Sequence, residues 1–286
     1  MTFVLAIRKN SMRVIITFIM SLCVSSVLGQ VDSLGVTVHR LAEQMPFKPG
    51  ERLEMKATVG FIKAAEVELQ VNDSIFEVND RPTYKLDAFA RTTGIFDLIS
   101  SVRDNWGSYY DTAQLIPQRF YRYLKEGRFR KNEILYFDHE ADSVIVERLH
   151  KETRKLEKTD YYPIPNNAQD MVSGYYYMRS IDFDQLKIGD VVSVPAWYDN
   201  EYRPFRIKIA AREVLKTKFG KVRAIVLVPI IKKDSLFEED NTLKVWISDD
   251  LNKLPLKFQA KIYVGYLRVE LKKAQNLLHP MAIVNN

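Results

Sequence analysis

Leu254-Pro255-Leu256-Lys257-Phe258-Gln259-Ala260-Lys261-Ile262, resumed after Gly265 as Leu267-Arg268-Val269-Glu270-Leu271, places an apolar side chain at every second position. Successive side chains of a strand point to opposite faces, so such a segment buries one row and solvates the other. Tyr263–Tyr266 between the two runs reads as a hairpin turn, or as a bulge at Gly265. One-faced alternation belongs to antiparallel sheet; parallel strands, covered on both faces, read as continuous apolar runs.

The same period recurs along the chain. Leu53, Met55, Ala57 and Val59 alternate with Glu54, Lys56 and Thr58, Val67, Leu69 and Val71 with Glu66, Glu68 and Gln70, and Phe205, Ile207 and Ile209 with Arg206 and Lys208. Further strands are expected at 84–91, 108–116, 119–125, 133–139, 143–150, 153–158, 192–197, 212–218 and 244–248. Val222–Pro229 is apolar at nearly every position and reads as a central strand covered on both faces. Asn72-Asp73-Ser74, Glu126-Gly127, Phe219-Gly220 and Asp249-Asp250-Leu251-Asn252 supply turn chemistry for hairpins.

Two segments have helical period. Ile95, Leu98, Ile99, Val102 and Trp106 follow the spacing of one helix face, which predicts a helix over about Gly94–Asp104. The second helix is expected at about Asp170–Gln185, with Met171, Tyr175 and Met178 buried and Tyr176 and Arg179 near the rim or solvent. More than a dozen strands exceed what a twisted open sheet carries flat, beyond about ten. The expected fold is therefore mainly β: a long curled antiparallel sheet, a half-open β-barrel, with two short helices plugging or covering its concave face. A two-sheet sandwich is the alternative. The domain expectation is one β-rich unit over 47–275 with a helical insertion at about 163–189, preceded by an extension (30–46) and followed by a tail (276–286).

The first twenty-nine residues read as an address. Arg8, Lys9 and Arg13 precede an uncharged run from Val14 to Val24, and Val27-Leu28-Gly29 offers a small-residue cleavage site before Gln30. That order is a cleavable secretory signal peptide, with an uncleaved anchor as the alternative. Met12, directly before Arg13, is an alternative start. Removing the leader takes the net charge from +6 to +3, because Arg8, Lys9 and Arg13 are its only charges. The remaining charges are interleaved in sign, which excludes a nucleic-acid footprint. The single cysteine, Cys23, sits in the leader, either as an apolar leader residue or as a lipidation site. The mature chain then has no disulfide, no thiolate chemistry and no Cys-based zinc. About 255 residues must be held by burial, and a chain of that size buries roughly 70–75% of its unfolded surface.

Chemical motifs are few. Asp138-His139-Glu140 alternates across a strand, so it reads as a hairpin end rather than a metal site. Asp249-Asp250 reads as a turn before it reads as an acid/base pair. Arg103, Asp104 and Asp111 around Trp106 read as ordinary ion pairing. Asn72-Asp73-Ser74 matches a glycosylation acceptor, a tripeptide common by chance. No nucleophile elbow, phosphate loop or zinc-protease motif occurs, and no catalytic residue, metal or cofactor is assigned. Aromatics are the stronger signal: fifteen Tyr, fifteen Phe and three Trp, clustered as Tyr109-Tyr110, Phe120-Tyr121, Tyr161-Tyr162 and Tyr175-Tyr176-Tyr177. Packing explains them as strand pairs and rim residues; a lining for an apolar or sugar ligand is the competing reading, with Trp106, Tyr109, Tyr175, Tyr176 and Met178 as candidate ligand-binding residues.

Phe47-Lys48-Pro49-Gly50-Glu51-Arg52-Leu53, Arg103-Asp104, Glu126-Gly127, Phe137-Asp138-His139, Gln169-Asp170-Met171-Val172-Ser173, Tyr176-Tyr177-Met178-Arg179 and Trp246-Ile247-Ser248-Asp249-Asp250 together resemble a bacterial exported-protein family known as domain of unknown function 3108. The resemblance covers roughly Phe47 to Leu271. It implies a periplasmic or secreted protein of curved antiparallel sheet without an assigned activity. The architecture is also similar to periplasmic lipoprotein carriers, an analogy of fold alone. The functional expectation is a non-catalytic binding or carrier module for a lipid or other hydrophobic envelope component, with no stable membrane span after cleavage. A carboxylate-based envelope hydrolase acting on cell-wall or polysaccharide material is the alternative.

Overall fold

A computed structural model describes residues 41–230, 243–262 and 265–284. The leader, with Met12, Cys23 and the cleavage site, lies outside the described residues. The alternating segments become a meander: β1 (Arg52–Val59), β2 (Ile62–Val78), β3 (Arg81–Thr92), a one-turn helix α1 (Ile95–Ile99), β4 (Arg103–Asp111), β5 (Pro117–Glu126), β6 (Phe129–Asp138), β7 (Ser143–Leu149) and β8 (Leu156–Pro163). Helix α2 (Met171–Arg179) follows, then a 3-10 turn (Phe183–Gln185) and β9 (Val191–Val194). The small hairpin β10 (Trp197–Tyr198) and β11 (Glu201–Tyr202) precedes a second meander, β12 (Phe205–Thr217), β13 (Gly220–Pro229), β14 (Leu243–Ser248), β15 (Pro255–Ile262) and β16 (Gly265–Gln275).

Fourteen strands form one antiparallel sheet in the order β8-β7-β6-β5-β4-β3-β2-β1-β16-β15-β14-β13-β12-β9. The two meanders join where β16 pairs with β1, from Arg52 opposite Gln275 to Val59 opposite Leu267. β8 and β9 are left as the two edges, and the chain between them runs from one edge to the other. Helix α2 lies on that crossing and touches β3, β4 and β9. β9 is eight strands from β3 in the order. At about 4.8 Å per strand that is roughly 38 Å along the sheet, whereas a helix is only about 10 Å across. One helix can reach both only if the sheet curls around it. The half-open barrel with a helix in its concavity is therefore the observed architecture.

Registers show which side chains face inward. Leu53, Leu69, Ala88 and Trp106 pair across β1 to β4 and are buried, and the row continues through Arg122, Glu133 and Arg148. Beyond β4 this row is charged and internally matched: Arg122 Nε donates to Glu133 Oε2 at 2.6 Å and its Nη2 to Asp199 Oδ1 at 2.6 Å. Elsewhere on the inner side, Val192 of β9 and Ile207, Ile209, Ile225, Leu227 and Ile247 of the second meander form an apolar wall with Met178 of α2. β13 is buried on both faces, as its continuous apolar run predicts. Ile225 and Leu227 face inward, and the tail pairs beside the start of the strand, Arg223 N donating to Ala282 O at 3.0 Å.

Four expectations need correction. Asn72-Asp73-Ser74 makes its local turn, with Ser74 N donating to Asn72 Oδ1 at 3.1 Å, but the strand resumes and the segment is a bulge within β2. The hairpin sits instead at Asn79-Asp80, whose φ values of 54° and 56° are those a tight two-residue turn needs. The first helix is one turn, not Gly94–Asp104, and Trp106 lies on β4. Asp104 and Ser108 occupy inward positions beside Trp106 and Tyr110, so polar residues inside broke the alternation that marks a strand. The second helix ends at Arg179 rather than Gln185. Tyr176 and Arg179, expected near solvent, are buried, and Tyr175 is the partly exposed one. The curled sheet buries most of the circumference of the helix, leaving only Tyr175 and Tyr177 partly exposed, so amphipathic reasoning fails for it.

Candidate functional site: an apolar cavity beneath the central helix

Both ends of α2 are pinned by buried charges. At its start, the Asp170 carboxylate caps the helix, Oδ1 accepting from Val172 N at 2.8 Å and Ser173 N at 2.9 Å. Its other oxygen accepts from Ser108 Oγ on β4 at 2.7 Å, which ties the helix to the sheet. Burial pushes the Asp170 carboxyl up to about 6, held back by the Ser108 hydroxyl and the two amides. At its end, the Arg179 guanidinium grips Glu51 through two bonds, Nη1–Oε1 at 2.6 Å and Nη2–Oε2 at 2.8 Å. Arg179 also donates from Nε to Asn252 O and from Nη2 to Pro46 O, both at 3.0 Å. Neither side chain of the pair is exposed. Arg179 thus joins the segment before β1, the β14–β15 turn and the helix at one point.

Between these pins, α2 roofs a cavity of about 140 Å³. Met171, Val172, Gly174, Tyr175 and Met178 form its helical side; Met55, Val67, Leu69 and Ala88 come from one arm of the sheet, and Val194, Phe205, Ile207, Leu227, Val245, Ile247, Phe258 and Val269 from the other arm and its junction. The wall is almost wholly apolar. Lys257 is the charged residue in it, its ammonium held below the usual lysine range chiefly by burial and then by Arg268. Burial pushes the Tyr175 hydroxyl above the usual tyrosine range, against the pull of the Arg179 guanidinium, and makes it a weaker acid.

Of the candidate residues, the fold brings Tyr175 and Met178 to the cavity and not the other three. Trp106 and Tyr176 are buried in the adjoining core, the Tyr176 ring packing edge-on against Phe47 at 4.8 Å. Tyr109 faces the opposite side of the sheet, 5.8 Å from Phe76 and beneath the Arg119 guanidinium at 5.5 Å. Sequence reasoning did not single out Leu227, Phe258 or Val245 as lining. Alternation marked Phe258 as inward, while Leu227 lay in a continuous apolar run and Val245 in a strand expected without an assigned face; only the curl of the sheet brings the three opposite α2.

The polar constellations act as turns and ties. Asp138 Oδ1 accepts from Ala141 N at 2.9 Å, and His139 Nε2 bonds to Pro117 O at 2.7 Å. Burial lowers the His139 imidazole below the usual histidine range. Asp250 Oδ1 accepts from Asn252 N at 2.9 Å and Ser248 Oγ at 2.7 Å, while Asp249 pairs with Arg212 at 2.7 Å. Among the described residues no three His, Cys, Asp or Glu side chains converge as metal ligands. Asp104 is the unusual acid: buried on β4, it accepts from Lys125 N at 2.8 Å and lies within hydrogen-bonding reach of the Glu126 carboxyl. Burial, then the nearby Glu126 charge, pushes it up to about 7 against the pull of the Lys125 amide. Two carboxyls in direct contact share a proton; glycoside hydrolysis needs them about 5–9.5 Å apart, with the sugar between.

Comparison with known proteins agrees with this architecture. The chain superposes on the crystal structure of a β-barrel-like protein of domain of unknown function 1849 from Brucella abortus, at 8% identity with TM-score 0.50, covering 82% of this chain and 100% of that one. It also matches a candidate lipoprotein from Parabacteroides distasonis (11% identity, TM-score 0.31, 81% and 97% covered) and a candidate exported protein from Bacteroides fragilis (8% identity, TM-score 0.29, 81% and 98% covered). No described helix is long and apolar enough to cross a membrane. No curated protein matches the sequence. The family model described as "Protein of unknown function (DUF3108)" matches residues 54–272, and the chain belongs to that family.

Proposed function

We propose that this protein is a non-catalytic binding or carrier module that holds a hydrophobic, lipid-like component of the bacterial envelope beneath α2. The cavity carries the reading: it is apolar, central, and walled by strands from both arms of the curled sheet. Burial of apolar ligand surface is the driving force, at roughly 25 cal/mol per Å². A dry cavity of about 150 Å³ holds a benzene ring. The space of about 140 Å³ here therefore suits one segment of an acyl chain or a similar apolar group. The reading includes export by the leader and residence in the periplasm or outside the cell. The carboxyl contact of Asp104 with Glu126 gives the hydrolase alternative no support.

Native mass spectrometry of the protein purified from its own envelope tests the proposal. An apolar adduct removable by organic solvent is expected, and Val245→Phe, which places a ring in the cavity wall, should reduce its occupancy. An adduct-free spectrum, together with no uptake of a fluorescent fatty acid by the purified protein, would refute it.

A further inference from the structure

The two ends of the sheet differ in chemistry. At the Gly60 end lie the connections β1–β2, β3–β4, β5–β6 and β7–β8, side by side because the strands run antiparallel in sequence order. Gly60 N donates to Tyr266 O, Thr93 N to Ala64 O and Gly127 N to Ser101 O, at 3.0, 2.9 and 2.7 Å, which holds neighbouring tips together. Phe61 is 96% exposed at the first of these connections and Leu98 88% exposed on α1 in the second. Ile62, Ile95 and Tyr266 beside them are also exposed. A side chain this bare at a tip contributes nothing to packing and costs solubility.

Charge separates the ends in the same sense. The Gly60-end connections carry exposed Arg128, Lys151, Arg154 and Lys155 against Asp97 and Glu152. At the opposite end the connections of the same meander, β2–β3, β4–β5 and β6–β7, carry exposed Asp80, Glu140 and Asp142 and no Lys or Arg. From β8 to β1 the basic and apolar tips extend roughly 34 Å at the usual strand spacing. Protruding apolar residues flanked by Lys and Arg are what an interface rich in anionic headgroups recognises, the apolar side chains entering the acyl boundary and the cations remaining at the phosphates.

We propose that the Gly60 end of the sheet docks on an anionic lipid bilayer, with Phe61 and Leu98 inserted. The proposal does not depend on what the cavity holds, and its failure would leave the cavity reading standing. Its place in the fold nonetheless suits a carrier, since Phe205 and Pro229, at the ends of β12 and β13 on that same side, line the cavity.

The test uses the full chain with vesicles of phosphatidylcholine alone or mixed with phosphatidylglycerol, part of the acyl chains brominated. Phe61→Trp and Leu98→Trp should be quenched on the mixed vesicles, and Leu251→Trp at the opposite end should not. Because the leader is the same in every variant, its own affinity cancels from this comparison. Phe61→Asp with Leu98→Asp should lower the vesicle partition coefficient roughly tenfold or more per side chain, with the melting temperature unchanged. Added salt should weaken binding as the Debye length shortens. Equal quenching at all three positions, or partitioning unchanged by the double substitution or by removal of phosphatidylglycerol, would overturn the proposal. Self-association that needs Phe61 and Leu98 without vesicle binding would equally overturn it, in favour of a protein interface.

Discussion

Arg179→Met removes the guanidinium that closes α2 against Glu51 while keeping an unbranched side chain in its place. Glu51 then keeps its carboxylate in a site without solvent, and Pro46 O and Asn252 O each lose a donor. Removing one partner of a buried pair costs about 3–5 kcal/mol, most of it the penalty on the charge left behind. Each orphaned acceptor adds about 1–3 kcal/mol where water cannot reach it. Relaxation makes these losses less than additive, so about 4–5 kcal/mol is expected. At this chain length that corresponds to a fall of roughly 8–20 °C in Tm. Urea unfolding is the assay, with a lowered midpoint at constant m-value marking lost stability rather than a changed end state. Glu51→Leu in the Arg179→Met background should recover part of the loss, because the stranded charge is gone. A loss below about 1 kcal/mol for Arg179→Met, the size of an exposed pair, would refute the burial of this clamp and the fixed position of α2.

Three further outcomes follow from the same geometry. Asp104 is held near 7 in the folded chain, above its unfolded value; its contribution is therefore complete below about pH 4 and is lost as pH rises through about 7. Between pH 5 and 8 the chain should lose roughly 2–3 kcal/mol that Asp104→Asn does not lose, read by urea midpoints at the two pH values; parallel profiles would contradict the burial. Gly107 lies under the Tyr121 ring, whose hydroxyl crosses it to bond Asp87, and a Cβ there would sit 2.3 Å from the ring carbon Cζ. Gly107→Ala should cost about 1–3 kcal/mol by overpacking, and Gly107→Ala with Tyr121→Ala should lose the clash, as a thermal-melt cycle would show. N-terminal sequencing of the protein from the envelope fraction should begin close to Gln30; a full-length cytosolic product would contradict the export reading.

How much of this was legible beforehand depends on the range of the interaction. The strands β1, β15 and β16 announced themselves because their pattern is local, inward residues apolar and outward ones polar, and β13 because its apolar run is continuous. The first half of β4 did not, since Asp104 faces inward with its partner supplied by β5. A one-residue polar exception inside is invisible until that partner is placed.

The sequence by itself determined the period-two pattern, and with it an antiparallel sheet too long to lie flat, a helical segment between its two meanders, and the leader-like start. Which residues meet was decided only by the tertiary structure. The curl sets Leu227 and Phe258 opposite Met171 and Tyr175, turning rows of ordinary core residues into the wall of a cavity. It also buries most of α2, so that Arg179 finds Glu51 across 128 positions of chain. The physical reason is that alternation specifies a face but not a curvature. Curvature arises from strand twist accumulated over fourteen strands and from the helix the sheet must close around.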